Sequence, residues 1–277
     1  LMVYFFDDWG LGWQYQMAAM LIPTLIYGFM FFRQKFPKTE RVLAGISTKD
    51  MYKACLTPLF LFMAFCMLLT AGTEFATNQW VAELLANVGV HAILLLVWIS
   101  GIMAVGRSVA GPIVHRFSPS GVLWGSAILA FVGILLMSKS SGLWSFGAAA
   151  IFALGITYFW PTMLGFISEN IPKSGALGLA VFGGLGFLAG AIVQPAVGTI
   201  FDAQIATAIP EGYTLEVLQS AAEGTKEAGL LALAELTAGK ITLGKSAVLP
   251  AVLILAFGFL FFTRKKREVQ KLDFNID

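Results

Sequence analysis

Residues 54–82 read ACLTPLFLFMAFCMLLTAGTEFATNQWVA, and Glu74 is the one charged side chain in that stretch. A helix rises about 1.5 Å per residue, so roughly 20 apolar residues cross the ~30 Å hydrocarbon core of a bilayer. The stretch is a membrane span. Scanning outward with a window of about 19 residues gives spans at roughly 11–32, 54–82, 90–109, 121–138, 143–168, 176–201 and 246–263. Composition agrees: the 277 residues are 58% hydrophobic and 12% charged, against about half and about a quarter in soluble domains. The predicted fold class is all-α, a polytopic membrane helix bundle with seven transmembrane helices.

The basic residues set the orientation. Arg33, Lys35, Lys38, Arg41, Lys49 and Lys53 follow span one; Arg107 and Arg116 follow span three, and Lys173 follows span five. Arg264, Lys265, Lys266, Arg267 and Lys271 follow span seven. The opposite side holds Lys139, Lys226, Lys240 and Lys245. By the positive-inside rule the carboxyl terminus is cytoplasmic and residues 1–10 lie outside. The net charge of +2 is near balance and points neither to nucleic acid nor to an acidic substrate. A chain opening on Leu1, without the basic start and cleavage site of a signal peptide, reads as missing its amino-terminal part.

Asp202 to Lys245 forms a long external segment richer in acid than base. Its Leu215/Leu218 and Leu230/Leu231/Leu233 patterns, broken by Gly224 and Gly239, read as two short surface helices. They suit an insertion packed on the outer surface, or a lid. Cys55 and Cys66 share one apolar stretch and act as small hydrophobes. His91 and His115 have no carboxylate or Cys/His companion at ligand or triad spacing, so no metal, cofactor or catalytic residue is expected. The chain does not read as an enzyme.

Charge inside a membrane is expensive, so Glu74 is a functional candidate by position. It stands roughly 9 Å outward of the midpoint of 54–82. At about 100° per residue, Thr70, Thr73, Glu74, Thr77 and Asn78 share one arc of the helix. That face suits a water-filled cavity or a polar ligand; alternatively Glu74 is interfacial and the threonines bond back to their own helix. Gln194, beside Pro195, falls at a similar depth in span six and would join the same layer or bond across helices. Gly186 and Gly190 have the small-xxx-small spacing of close helix contact. In span five Tyr158, Phe159 and Trp160 precede Pro161, which can kink the helix and aim an aromatic plane into a cavity, or simply pack. Gly106-Arg107 through Gly111-Pro112 to Arg116 lies at the cytoplasmic end of span three. There arginines cap helix ends, meet lipid phosphates or latch helices.

These features, in this order, resemble the carboxyl-terminal half of a major facilitator superfamily transporter, closest to the fucose/galactose/glucose proton symporters. The matching pieces are Ala71-Gly72-Thr73-Glu74, Gly106-Arg107 through Arg116-Phe117-Ser118-Pro119, Trp160-Pro161-Thr162, and Gln194-Pro195-Ala196-Val197-Gly198 with Asp202. The resemblance implies that residues 1–53 are helix six and a cytoplasmic linker. Residues 54–263 would then be a six-helix bundle interrupted by an external insertion at 202–245, and 264–277 a basic cytoplasmic tail. It also implies a missing amino-terminal bundle that carries most of the proton-coupling carboxylates, and substrate at the bundle interface with alternating access. Glu74, Thr77 and Asn78 would hydrogen-bond a small hydroxylated solute, a sugar, with Tyr158, Trp160 and Gln194 lining the site. Trp160 would stack on the solute, while Arg107 and Arg116 would form a cytoplasmic gate. The setting would be a bacterial inner membrane, with membrane lipid around the chain and protons as coupling ion. Two features depart from the superfamily pattern: His115 where an acid often precedes the arginine, and the length of the external loop.

Read without the resemblance, seven spans with an outward amino terminus also suit a complete receptor or scaffold. A half-size transporter that dimerises is a further reading, since one six-helix bundle cannot enclose a path alone.

Overall fold

The computed structural model describes residues 6, 9–10, 12–35, 45–84, 92–222 and 224–263. Residues 36–44 of the predicted linker, His91 and the basic tail 264–277 lie outside the described residues. Every regular element described is helical: α1 Trp13–Ala19, α2 Leu21–Phe31, α3 Thr48–Cys55, α4 Pro58–Leu84, α5 Ala92–Ser108, α6 Ala110–Phe117 and α7 Pro119–Lys139. Then follow α8 Trp144–Thr157, α9 Phe159–Asn170, a 3-10 turn Pro172–Ser174, α10 Gly175–Ala208, α11 Leu215–Gln219, α12 Lys226–Ser246 and α13 Val248–Thr263. Five stretches are long and apolar enough to cross a membrane: Pro58–Asn78, Pro119–Lys139, Trp144–Asn170, Pro172–Ala208 and Lys226–Thr263. Ile93–Ser108 is a shorter apolar helix. The fold is thus the polytopic helix bundle the composition demands, with seven spans an approximate count.

One rule of backbone chemistry explains four helix breaks. Proline lacks an N–H and its ring collides with the carbonyl four residues back, so a helix tends to interrupt just before it. The breaks fall at Met20, Val109, Tyr158 and Ala247, each three residues ahead of Pro23, Pro112, Pro161 and Pro250. Pro195 is the exception and sits inside the unbroken α10. The break at Val109 changes the reading of span three. The sequence placed Arg107 at its cytoplasmic end, but helix resumes through α6 to Phe117, so Arg107 lies well inside the combined stretch. At Ser118 the chain turns with φ +64°; the Ser118 hydroxyl accepts from Gly121 N at 3.3 Å, and Pro119 opens α7. A side-chain cap followed by proline is a standard helix start.

The core is built on Phe60, Phe152, Phe159, Phe182, Phe257 and Leu123, all nearly or wholly inaccessible. The closest backbone approach lies between α7 and α8. A Cβ on Gly133 would stand 2.4 Å from Phe152 N, and one on Gly155 would stand 2.3 Å from Ala130 N. The sequence put its small-residue contact in span six instead. There, Gly186 and Gly190 of α10 receive aromatic rings, Trp160 and Phe75, in place of another backbone.

Two further elements differ from expectation. In the external segment the first expected short helix is present as α11 Leu215–Gln219, but the second is not short: α12 runs unbroken through a buried Gly239, and α10 continues to Ala208. Ile205 packs with Ala234 and Ala238 in a small second core, flanked by Phe201, Leu215 and Leu231. Span seven is accordingly the lower part of one long apolar unit, Lys226–Thr263, kinked at Ala247. The α2 helix of span one buries none of its residues. A helix apolar all round requires lipid or another protein against it.

Candidate functional site

The midpoint of α4 falls at Ala71, so Glu74 stands about 4.5 Å outward of it, half the depth offset that the wider span 54–82 implied. It is buried, at 7% exposure, and therefore not an interfacial carboxylate in solvent. Its Oε1 lies 3.5 Å from Arg107 Nη2, an ion pair between α4 and α5. The Trp160 indole is its other polar neighbour. A buried charge left alone would cost several kcal/mol, so a partner on the adjacent helix is what permits Glu74 at this depth.

Arg107 is held from a third helix. Pro161 cannot donate to the Thr157 carbonyl four residues back, and Arg107 Nε donates to that carbonyl at 3.2 Å. The break between α8 and α9 thus provides a buried acceptor, and the guanidinium fills it, satisfying a backbone group that would otherwise go unpaired. Gly106 lets α5 come this close, since a Cβ there would stand 2.6 Å from Thr157 Cγ2. One arginine ties together α4, α5 and the α8/α9 break.

The polar face of α4 divides into two groups. Thr70 Oγ donates to the Met67 carbonyl at 3.0 Å and Thr73 Oγ to the Leu69 carbonyl at 2.7 Å, so these two are satisfied within their helix. Glu74 Oε2, Thr77 Oγ and Asn78 Oδ1 are buried without a hydrogen-bond partner, as is Thr162 Oγ on α9. Residues at i, i+3 and i+4 share a helix face, so the first three orphans cluster within one turn. Buried polar atoms are nearly always paired, and three left open on the turn of α4 that carries the ion pair are unusual. Thr162 also lines a cavity of about 640 Å³ between α6 and α9, bounded by Gly111, Val114, Gly165 and Glu169. That volume is in the range of small-molecule sites.

The other expected residues fall elsewhere. Trp160 is half-buried, its ring edge seated over Gly186 and its centroid 6.4 Å from Phe75. It packs α9 on α10 and borders Glu74 from the side. Replacing Gly186 with alanine would put Cβ 2.3 Å from Trp160 Cη2, so the indole must shift, at a cost of about 1–3 kcal/mol. A lowered melting temperature with altered tryptophan fluorescence is the expected result. Tyr158 turns toward Gly106 and lines a separate apolar cavity with Trp124 and Phe261. Gln194 lies beside Gly190, on the turn that also receives the Phe75 ring. Arg116 is exposed on α6 with its guanidinium 5.8 Å from the Phe117 ring centroid, beyond the break that separates it from Arg107. Sequence reasoning assigned Thr162 no role, although its place next to Pro161, in a stretch already singled out, was the available signal. Among the described residues no cluster of His, Cys, Asp or Glu could hold a metal ion.

No protein-family model matches the chain, and no curated protein is similar to it in sequence. Among solved structures, it is similar to a bacterial homologue of the human lysosomal transporter Spinster, in an inward-facing and unoccupied conformation. The TM-score is 0.69 at 17% identity, over 95% of this chain. The chain spans 65% of the length of that structure. What the likeness shows is the architecture: this chain shares the fold of that structure.

Proposed function

We propose that the chain is one side of a secondary transporter for a small polar solute, and specifically for a sugar moved with protons by alternating access. The observation that carries this reading is the Glu74–Arg107 pair within the apolar helices α4 and α5, its carboxylate buried, with Thr77 and Asn78 offering unpaired polar atoms on the same turn of α4. A receptor or scaffold has no need of open hydrogen-bonding groups at that depth. The fold shared with a transporter structure supports the same side. The exposed apolar α2 is what a helix belonging to a second bundle would look like in this half, and the orientation that suits the basic loops is a bacterial inner membrane with the carboxyl terminus inside.

Proton coupling assigns Glu74 a titrating role. Glu74→Gln keeps the shape and the hydrogen-bonding capacity but cannot gain or lose a proton. In cells producing the whole protein, pH-driven accumulation of labelled solute is expected to fall about tenfold with this variant, the scale of one charge-assisted hydrogen bond. Energy-independent exchange should persist. An unchanged pH profile at normal expression would remove Glu74 from coupling.

A further inference from the structure

The donors of Arg107 are only partly used. A guanidinium carries five N–H groups in a planar fork, and here Nε serves Thr157 while Nη2 reaches Glu74 at 3.5 Å. Charge-assisted bonds of this kind usually close to about 2.7–2.9 Å, often as bidentate pairs. The contact is therefore single and long. The exposures of the two partners also differ: the Arg107 side chain is 38% exposed and that of Glu74 10%. The guanidinium is thus partly open, and the carboxylate it touches shares a turn of α4 with the unpaired oxygens of Thr77 and Asn78. Glu74 Oε2 as a carboxylate and Asn78 Oδ1 accept, and Thr77 can accept or donate, so this turn of α4 calls for hydroxyl groups on a guest.

Resting on the transporter reading above, we infer that the solute is a hydroxylated monocarboxylate, a sugar acid, whose carboxylate takes the open fork of Arg107 while its hydroxyls meet Asn78, Thr77 and Glu74. A proton taken up by the Glu74 carboxylate releases Arg107 from its ion pair, and no other bond is made or broken. The charges balance in both states. The empty site holds Glu74 as an anion and Arg107 as a cation; the loaded site holds a neutral Glu74, the Arg107 cation and one solute anion. Neither state carries an uncompensated charge through the bilayer. A neutral sugar would leave the fork idle. Arg107 on α5 is the one charged group acting on Glu74 among the described residues, and α9 brings Trp160, so no second cation substitutes for it.

The test is uptake of labelled D-glucuronate, D-glucose and D-glucose 6-phosphate by the whole protein in proteoliposomes under an acid-outside gradient. Glucuronate uptake should exceed that of glucose about tenfold or more, the discrimination expected when a site's charged donor is left unmatched. Arg107→Gln should lose that preference. Glu74→Gln, with the fork released, should bind glucuronate about tenfold tighter at neutral pH and without pH dependence, as a thermal-shift titration reads; a merely structural Glu74 would not produce that gain. Uptake of glucose without glucuronate overturns the sugar-acid inference and leaves the transporter reading standing. Preference for the phosphate ester overturns the carboxylate. Uptake of none of the three overturns both readings, and weaker glucuronate binding in Glu74→Gln overturns the release step.

Discussion

Arg107→Ala is expected to destabilise the bundle by about 3 kcal/mol and to lower solute binding about a hundredfold. Three losses coincide. Glu74 remains as a buried carboxylate without its cation, and breaking such a pair from one side costs about 3–5 kcal/mol; the lower figure applies because the guanidinium is partly open to solvent. The Thr157 carbonyl, which Pro161 cannot serve, loses its donor. The contact that joins α5 to α4 and to the α8/α9 break disappears. Arg107→Lys keeps the charge but gives up the planar fork, and should recover stability more than binding. Adding Glu74→Gln to Arg107→Ala removes the stranded charge, so the double variant should be more stable than the single one. Thermal unfolding of the purified variants, run as a double-mutant cycle, checks all of this. Additive effects would mean that the 3.5 Å pair contributes nothing. A gate remote from the solute would instead slow turnover and spare binding.

Gly155→Ala should be more damaging than any other glycine-to-alanine change outside the site, with Gly133→Ala close behind. At Gly155 the new Cβ would stand 2.3 Å from Ala130 N and 2.8 Å from its Cα; at Gly133 it would stand 2.4 Å from Phe152 N and 2.5 Å from its Cα. These neighbours are backbone atoms and cannot rotate away, so α7 and α8 must separate. Overpacking ordinarily costs about 1–3 kcal/mol, and a rigid neighbour on both sides places these two at or above the top of that range. Phe152, Ala130, Ala149 and Ala153, now wholly buried, would lose contact together. Gly165→Ala and Gly183→Ala serve as controls: nothing stands within 4 Å of either Cβ, and alanine is the better helix former by about 1 kcal/mol. Melting temperature and monodispersity in detergent should fall steeply for the first pair and hold or rise for the second. Equal behaviour of both pairs would contradict the α7–α8 packing.

The sequence by itself determined the class of the molecule. Long apolar stretches carrying almost no charge can exist only as helices in a bilayer, because no water is available there for an unpaired backbone. It also singled out Glu74, since a carboxylate at that depth is conspicuous in any reading of residues 54–82. Even the helix breaks were legible in principle, because Pro23, Pro112, Pro161 and Pro250 act on their own local backbone. Partnership was not legible. Glu74 and Arg107 are 33 positions apart, Arg107 and Thr157 are 50 apart, and no local pattern announces either contact. Helical periodicity gives each residue a face, but the neighbour of that face depends on how the bundle packs. For that reason Thr70 and Thr73 looked like Thr77 and Asn78 in the sequence, yet only the last two remain unpaired. The same reason set Arg107 beside Glu74, a neighbour that its place at the end of a span did not announce. Composition and periodicity act along the chain, whereas a binding site is made by side chains converging from different helices, and that convergence is decided by tertiary packing alone.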